Sequence, residues 1–260
     1  MDIPSFQKKV LTFYKKNGRT LPWRATQNPY KILVSEIMLQ QTQVDRVVPF
    51  YTTWIQTWPT IQSLARASAR DVLRKWMGLG YNNRALNLLK TAHIIAREFD
   101  GDVLTAMQHH SRLPGIGPYT ASAVQIFSAN ADLVTVDTNI RRLLIHEFSL
   151  TKPTDQELWK LADACLPRGQ SRDWHNALMD YGQVLTSRRT GIRPKTQQSA
   201  FEGSDRQLRA RILRLLLDKP VTLAALTKTL DTEGKRLGRI LAGMQRDGII
   251  QGKKRISLRT

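Results

Sequence analysis

Apolar residues recur along most of this chain at the three-to-four spacing of amphipathic helices. Residues 30–42 place Ile32, Leu33, Ile37 and Met38 or Leu39 near a helical period. The same habit marks 69–77, 83–98, 119–129, 138–148, 155–165 and 172–187. Thr154 precedes Asp155 and Glu157, so it is placed to cap a helix that carries acids in its first turn. Gly78-Leu79-Gly80, the run Leu113-Pro114-Gly115-Ile116-Gly117-Pro118, and Pro167-Arg168-Gly169 separate the helical stretches. No β-rich region precedes about residue 220, so the body is expected to be all-α.

The pattern changes near 188–205, where RRTGIRPKTQQSAFEGSD has little periodicity and several turn formers. Residues 191–204 are expected to be a linker. Beyond it the pattern predicts a helix over 205–218, a short helix over 223–230 and a helix over 232–247. Asp247-Gly248 then turns the chain into two short strands around Ile249-Ile250 and Ile256-Ser257-Leu258. Helices closed by a terminal hairpin suggest a small winged-helix-like module over 205–260, with 232–247 as its recognition-like helix.

Charge adds a partner to this picture. The 260 residues hold 40 Lys+Arg against 21 Asp+Glu, a formal net charge of +19. Residues 205–260 alone hold 14 Lys+Arg and 5 Asp+Glu. Such an excess points to a polyanion, and nucleic acid is favoured over a membrane surface. No stretch reaches the roughly 20 apolar residues of a membrane-spanning helix, and the N-terminus lacks the basic start and apolar block of a signal peptide. The single cysteine, Cys165, leaves no internal disulfide, four-cysteine zinc site or all-cysteine iron–sulfur cluster. It is expected to be a small buried residue.

Three segments carry candidate chemistry. In Leu113-Pro-Gly-Ile-Gly-Pro-Tyr-Thr120, Gly115 and Gly117 let backbone amides approach a phosphate at the start of the next helix. In Val136-Asp-Thr-Asn-Ile-Arg-Arg142, Asp137 follows an apolar residue at a helix start, where an ordinary N-cap also fits. In Leu33-Val-Ser-Glu-Ile-Met-Leu-Gln-Gln-Thr-Gln-Val44, Glu36 stands among apolar residues, where a carboxyl needs a partner or a function. Burial would raise its pKa and keep it protonated, as a general acid requires.

Over residues of about 6–190, these motifs in combination resemble the helix-hairpin-helix DNA glycosylases, closest to the MutY-type adenine glycosylases. The resemblance implies an all-α, two-lobed body over 1–190. Residues 23–130 would form a six-helix lobe with the hairpin, and 1–22 plus 131–190 a second lobe. It implies base flipping and hydrolysis of an N-glycosidic bond in base excision repair, with adenine opposite 8-oxoguanine or guanine as substrate. Glu36 would be the acid that protonates adenine. Asp137 would stabilise the oxocarbenium charge, and Asn139 would position water or backbone. Tyr119 stands where bifunctional relatives place a Schiff-base lysine, so strand nicking is not expected.

The same resemblance puts Trp23, Arg24 and Asn176 in the base pocket, and Gln40, Gln41 and Tyr81 as plugs in the duplex beside the opposite base. It puts Gly115, Gly117, Arg141 and Arg142 on phosphates. The hairpin carbonyls of Ser111, Leu113 and Ile116 match those that hold a sodium or potassium ion in relatives; otherwise no cofactor is required. Trp54, Trp58, Trp76 and Trp159 read more simply as packing aromatics. The chain departs from the family twice. The cysteines of the iron–sulfur loop after about residue 185 are missing, and the Nudix-like C-terminal domain is replaced by the short basic module. The implied partner is double-stranded DNA with a mispair or lesion, bound by a monomer without membrane attachment. The implied location in a bacterial or archaeal cell is cytoplasmic and nucleoid-associated. Two alternatives stay open at this point: a thymine, uracil or other damaged-base glycosylase, and a non-catalytic DNA-binding protein.

Overall fold

The computed structural model describes residues 1–193 and 200–259. Part of the expected linker, residues 194–199, lies outside the described residues. Fifteen α-helices and a minute sheet make up the regular structure among the described residues. The helices are α1 (Ile3–Asn17), α2 (Pro29–Leu39), α3 (Val44–Thr57), α4 (Ile61–Ala65), α5 (Ala69–Trp76), α6 (Asn83–Glu98), α7 (Val103–Gln108) and α8 (Pro118–Ala129). They continue with α9 (Thr138–Glu147), α10 (Asp155–Ala164), α11 (Ser171–Val184), α12 (Ser187–Thr190), α13 (Asp205–Asp218), α14 (Leu223–Leu230) and α15 (Gly234–Arg246). The strands are β1 (Val221–Thr222), β2 (Ile250–Gln251) and β3 (Arg255–Leu258), in the order β1-β3-β2 with antiparallel pairing. The all-α class read from the periodicity is the class of the structure.

The contacts divide the chain into two compact units. The first contains Met1–Glu36, Val103–Arg112 and the chain from Ile116 through α12. Its core gathers Phe6 and Val10 of α1, Ile140, Leu143 and Leu144 of α9, Leu158 of α10 and Trp174 of α11. Phe6 meets Phe148 and Trp174 edge-on, at ring separations of 5.0 and 5.7 Å. Cys165 is buried in this core, and burial pushes its thiol up to about 11, so it is an inert filler. The Thr154 cap forms as a full capping box. Glu157 N donates to Thr154 Oγ1 and Thr154 N donates to the Glu157 carboxylate.

The second unit contains Ile37–Asp102, Leu113–Gly115 and the C-terminal module. Its helices pack α4 on α6 and α5 on α6. Trp54, Trp58 and Trp76 are buried there as edge-on pairs, Trp54 lying 4.7 Å from Trp58 and 5.5 Å from Trp76. The order of α13, β1, α14, α15, β2 and β3 is that of a winged helix. Strand β1 is the element the periodicity does not reveal: two residues are too few to show alternation, and Val221 pairs with Ile256 only through the fold. Within the second unit the module packs on the helices before it. Its Leu208, Ile212, Leu216, Leu237, Ile240 and Met244 share one apolar cluster with Leu73 of α5 and Leu86 of α6.

Two local departures from the periodicity matter for function. Helix α2 ends at Leu39, not at 42, and Gln41 lies beyond it with φ +56°. Tyr81 also takes a left-handed backbone, φ +50°. For residues other than glycine this conformation is strained, and such strain concentrates at functional positions.

Candidate active site

Glu36 sits near the C-terminal end of α2, on a helix whose neighbouring positions Leu33, Val34, Ile37 and Met38 are all buried. The carboxyl itself is buried. Desolvation first, and the charge of Asp137 second, raise it to about 8, so it is mostly protonated at neutral pH. Tyr119, on the first turn of α8, has its phenol pushed well above the ordinary value, by burial and then by the charges of Glu36 and Asp137. The sequence-separated trio Glu36, Tyr119 and Asp137 is therefore one electrostatic cluster within the first unit.

Asp137 forms the N-cap that its place at a helix start allows. As the N-cap of α9 its Oδ1 accepts from Ile140 N at 2.7 Å. Its Oδ2 accepts from Asn139 Nδ2 at 3.0 Å. Burial raises its carboxyl above the usual range, against the lowering effect of these bonds and of the Arg142 charge. Upstream, Thr135 N donates to His175 Nε2 at 3.2 Å, which fixes the chain two residues before the carboxylate.

Asn139 is held in turn. Its Oδ1 accepts from Arg142 Nη2 at 2.7 Å. Arg142 also donates to Gly182 O at 2.8 Å and to Leu185 O. The phosphate contact expected of Arg142 gets no support from this geometry, because the guanidinium is buried and its donors serve the protein. Arg142 is a positioning residue that aligns Asn139, and through it Asp137. Gly182 permits this closeness of α11 and α9. A Cβ there would stand 2.7 Å from Asn139 O and 2.9 Å from its carbonyl carbon.

Arg24 is likewise held by acceptors of the protein. Its Nη1 and Nη2 grip the Asp180 carboxylate at 2.8 and 2.9 Å, and Nη1 also donates to Arg19 O. Arg19 N and Nε donate to the same carboxylate at 2.9 and 2.7 Å. The paired donors of Arg24 thus tie the Pro22–Arg24 turn to α11, the helix that carries Asn176. Asp180 stands one turn beyond Asn176 on α11, and both are buried, as is Trp23. Asn176 is therefore not a solvated polar residue on the outer face of α11.

Arg141 lines a recess with Val136, Asp137, Thr138, Asp155, Leu158 and Trp159. Its Nε is buried with no hydrogen-bond partner. Trp159, a packing aromatic, is a wall of this recess.

In the second unit, Arg84 is the organiser that sequence reasoning missed. Its Nη1 donates to Ile37 O and Met38 O at 2.9 and 3.1 Å, and to Gln40 O at 2.5 Å. Its Nη2 donates to Thr42 Oγ1 and Gly80 O at 3.2 and 3.1 Å. The guanidinium therefore binds the Gln40-Gln41 segment to the loop that carries Tyr81, and lies 5.5 Å from the Tyr81 ring. Desolvation pulls it down to about 10, still charged at neutral pH. The only available signal was a cation on the apolar face of 83–98.

Gly115 has φ +78°, and an added Cβ would lie 3.1 Å from Asn87. Gly117 caps α8 with an extended backbone, and an added Cβ there would meet nothing. No demand from inside the protein explains Gly117, whereas an outside group approaching the amides would.

A helical body with a glycine-flanked turn feeding a helix, a protonated buried glutamate and a capped aspartate defines a helix-hairpin-helix protein. The chain belongs to the HhH-GPD superfamily of base excision DNA repair proteins, whose pattern matches residues 34–167. Adenine DNA glycosylase of Mycolicibacterium smegmatis is 36% identical over 268 residues, covering 94% of this chain and 92% of that protein. Adenine DNA glycosylase of Buchnera aphidicola is 39% identical over 184 residues, and this chain spans only 52% of its length. A thermostable thymine-DNA glycosylase structure is 27% identical with a TM-score of 0.65, covering 70% of this chain and 86% of that one. A non-covalent endonuclease III–DNA complex, 16% identical with a TM-score of 0.63 over 75% of this chain and 91% of that one, shares the fold.

Proposed function

We propose that this protein is a monofunctional DNA glycosylase that excises adenine mispaired with 8-oxoguanine or guanine. The observation that carries the reading is the buried, protonated Glu36 beside the capped carboxylate of Asp137. A purine leaves as an anion only at high cost, so a proton must reach its ring as the bond breaks. Glu36 supplies that proton. The electron pair of the C1′–N9 bond goes to the purine, and positive charge develops on the sugar. Asp137, aligned by Asn139 and Arg142, stabilises that charge, and water adds at C1′ with loss of a proton. Tyr119 in place of a lysine offers no amine for an imine, so the strand is not nicked by the enzyme.

Double-stranded DNA is the proposed partner, supported by the +19 charge and by the open amides at Gly117. Arg141, beside the recess at Asp137, is the proposed phosphate ligand of α9. Gln40, Gln41 and Tyr81 are the proposed plugs, supported by the left-handed backbones of Gln41 and Tyr81 and by the Arg84 clamp on Gln40 O and Gly80 O. An alkali ion at the carbonyls of Ser111, Leu113 and Ile116 would strengthen phosphate binding. No other cofactor is needed. A monomer in the cytoplasm, associated with the nucleoid, suits this work; among the described residues no helix is long and apolar enough to cross a membrane.

The likeness to a thymine-DNA glycosylase favours thymine or uracil opposite guanine as the second reading. Glu36 favours a purine, because a pyrimidine leaving group gains less from a ring proton. Single-turnover assays on A:8-oxoG, A:G, T:G and U:G duplexes, followed by alkali cleavage, decide between them. Release from the A-containing duplexes, abolished by Asp137→Asn, is expected. Release only from T:G and U:G refutes the adenine assignment, and no release from any duplex refutes the enzyme.

A further inference from the structure

We propose that the C-terminal module completes a nucleobase-stacking subsite, in which Tyr81, Arg206 and Phe201 form a ladder of planar groups. The proposal rests on the base-excision reading for the identity of its ligand, a base of duplex DNA left without its partner. The Arg206 guanidinium lies 5.9 Å from the Tyr81 ring centre and 6.0 Å from the Phe201 ring centre. All three residues belong to the second unit.

The ladder is built on a firm base. Arg206 stands in the first turn of α13, which Ser204 caps through Gln207 N at 3.3 Å. Leu208, two positions on, is in the apolar cluster that includes Leu73 and Leu86. Arg74 Nη2 donates to Leu217 O at 3.4 Å, and Arg70 Nη1 donates to the same carbonyl. The Arg84 guanidinium also lies 5.5 Å from the Tyr81 ring centre. The module therefore places Arg206 against Tyr81.

Its chemistry suits a heterocycle. Phe201 is 52% exposed, so part of its ring is open to a ligand. Aromatic faces and a planar guanidinium stack on any base, while guanidinium N–H groups donate to purine ring nitrogens and carbonyls. The module's excess of 14 Lys+Arg over 5 Asp+Glu favours nucleic acid over an apolar protein surface as the occupant.

The test uses the full chain and a fluorescein-labelled duplex carrying a tetrahydrofuran abasic analogue opposite guanine, with the fully paired duplex as reference. Fluorescence anisotropy across a salt series gives Kd and its salt slope for wild type, Phe201→Ala, Arg206→Ala and Arg206→Lys. Phe201→Ala and Arg206→Lys are each expected to weaken binding to the abasic duplex by about tenfold, with the salt slope unchanged. Binding to the paired duplex should change much less. Phe201 is exposed and Arg206→Lys keeps the charge, so neither variant depends on a rebuilt core. Wild-type affinity in both variants overturns the subsite. A loss confined to Arg206→Ala makes Arg206 a point charge on phosphate and also overturns it. Should wild type bind the abasic duplex with these losses yet release no adenine, the excision reading falls and the subsite stands.

Discussion

Replacing Glu36 with glutamine should make the protein more stable and inactive, and the stability gain should grow with pH. A carboxyl whose folded pKa lies above its unfolded value binds its proton more tightly when folded. Its contribution to stability is full below the unfolded value and is lost as pH rises through the folded one. For Glu36 the window runs from 4.5 to about 8. Each unit of pH inside it costs wild type about 1.4 kcal/mol relative to an amide that never ionises. At pH 7 the accumulated difference is about 3 kcal/mol, a large share of the ~5–15 kcal/mol that holds a domain folded. The buried glutamine amide adds an offset, but that offset does not vary with pH. Urea unfolding of wild type and Glu36→Gln at pH 5, 6, 7 and 8 reads the slope directly. A free-energy difference that stays flat across that range refutes the reasoning, because Glu36 would then not be holding its proton. Single-turnover adenine release by the variant should fall by about 10²–10⁴-fold, the usual worth of a positioned acid.

Wild-type adenine release should follow a bell in pH. The alkaline limb falls as Glu36 loses its proton near pH 8, and the acid limb lies above the ordinary aspartate value because burial raises Asp137; a rate still climbing at pH 9 contradicts this. Gly182→Ala forces a Cβ to within 2.7 Å of Asn139 O, and should cost about 1–3 kcal/mol while slowing base release through Asp137. A thermal melt paired with a rate measurement checks it, and an unchanged rate would show that α9 has room to move. Arg142→Lys should destabilise the fold yet leave the salt slope of DNA binding unchanged, whereas a slope smaller by about one would restore Arg142 as a phosphate ligand. Gly117→Ala should melt like wild type, since nothing in the protein opposes the new methyl, and should bind duplex DNA more weakly in an anisotropy titration. Undiminished affinity would remove the hairpin amides from the interface.

Much of the site was legible because its signals are local. Glu36 in an apolar helix, the two glycines of 113–118 and Asp137 at a helix start each declare their chemistry within a few residues. The roles of Arg24 and Arg142 were not legible. Their partners, Asp180 and Leu185, lie 156 and 43 residues away, and a guanidinium reads alike in sequence whether it faces phosphate or carboxylate. Arg84 was passed over for the same reason: its acceptors are backbone carbonyls, which every residue has. The end of α2 at Leu39 was missed because hydrophobic period does not mark where the left-handed residue Gln41 breaks a helix.

The sequence by itself determined the helical class, the order of the C-terminal elements apart from β1, and the presence of the two carboxyls, because periodicity and residue type are local quantities. Only the tertiary structure decided which groups share a dielectric environment. Burial, together with the charge of Asp137, turned Glu36 from an acid ionised at neutral pH into one that keeps its proton. The packing of α13 against Leu73 of α5 and Leu86 of α6 is what sets Arg206 against Tyr81. Both outcomes depend on long-range contacts, which set solvation and distance and which no window of sequence contains.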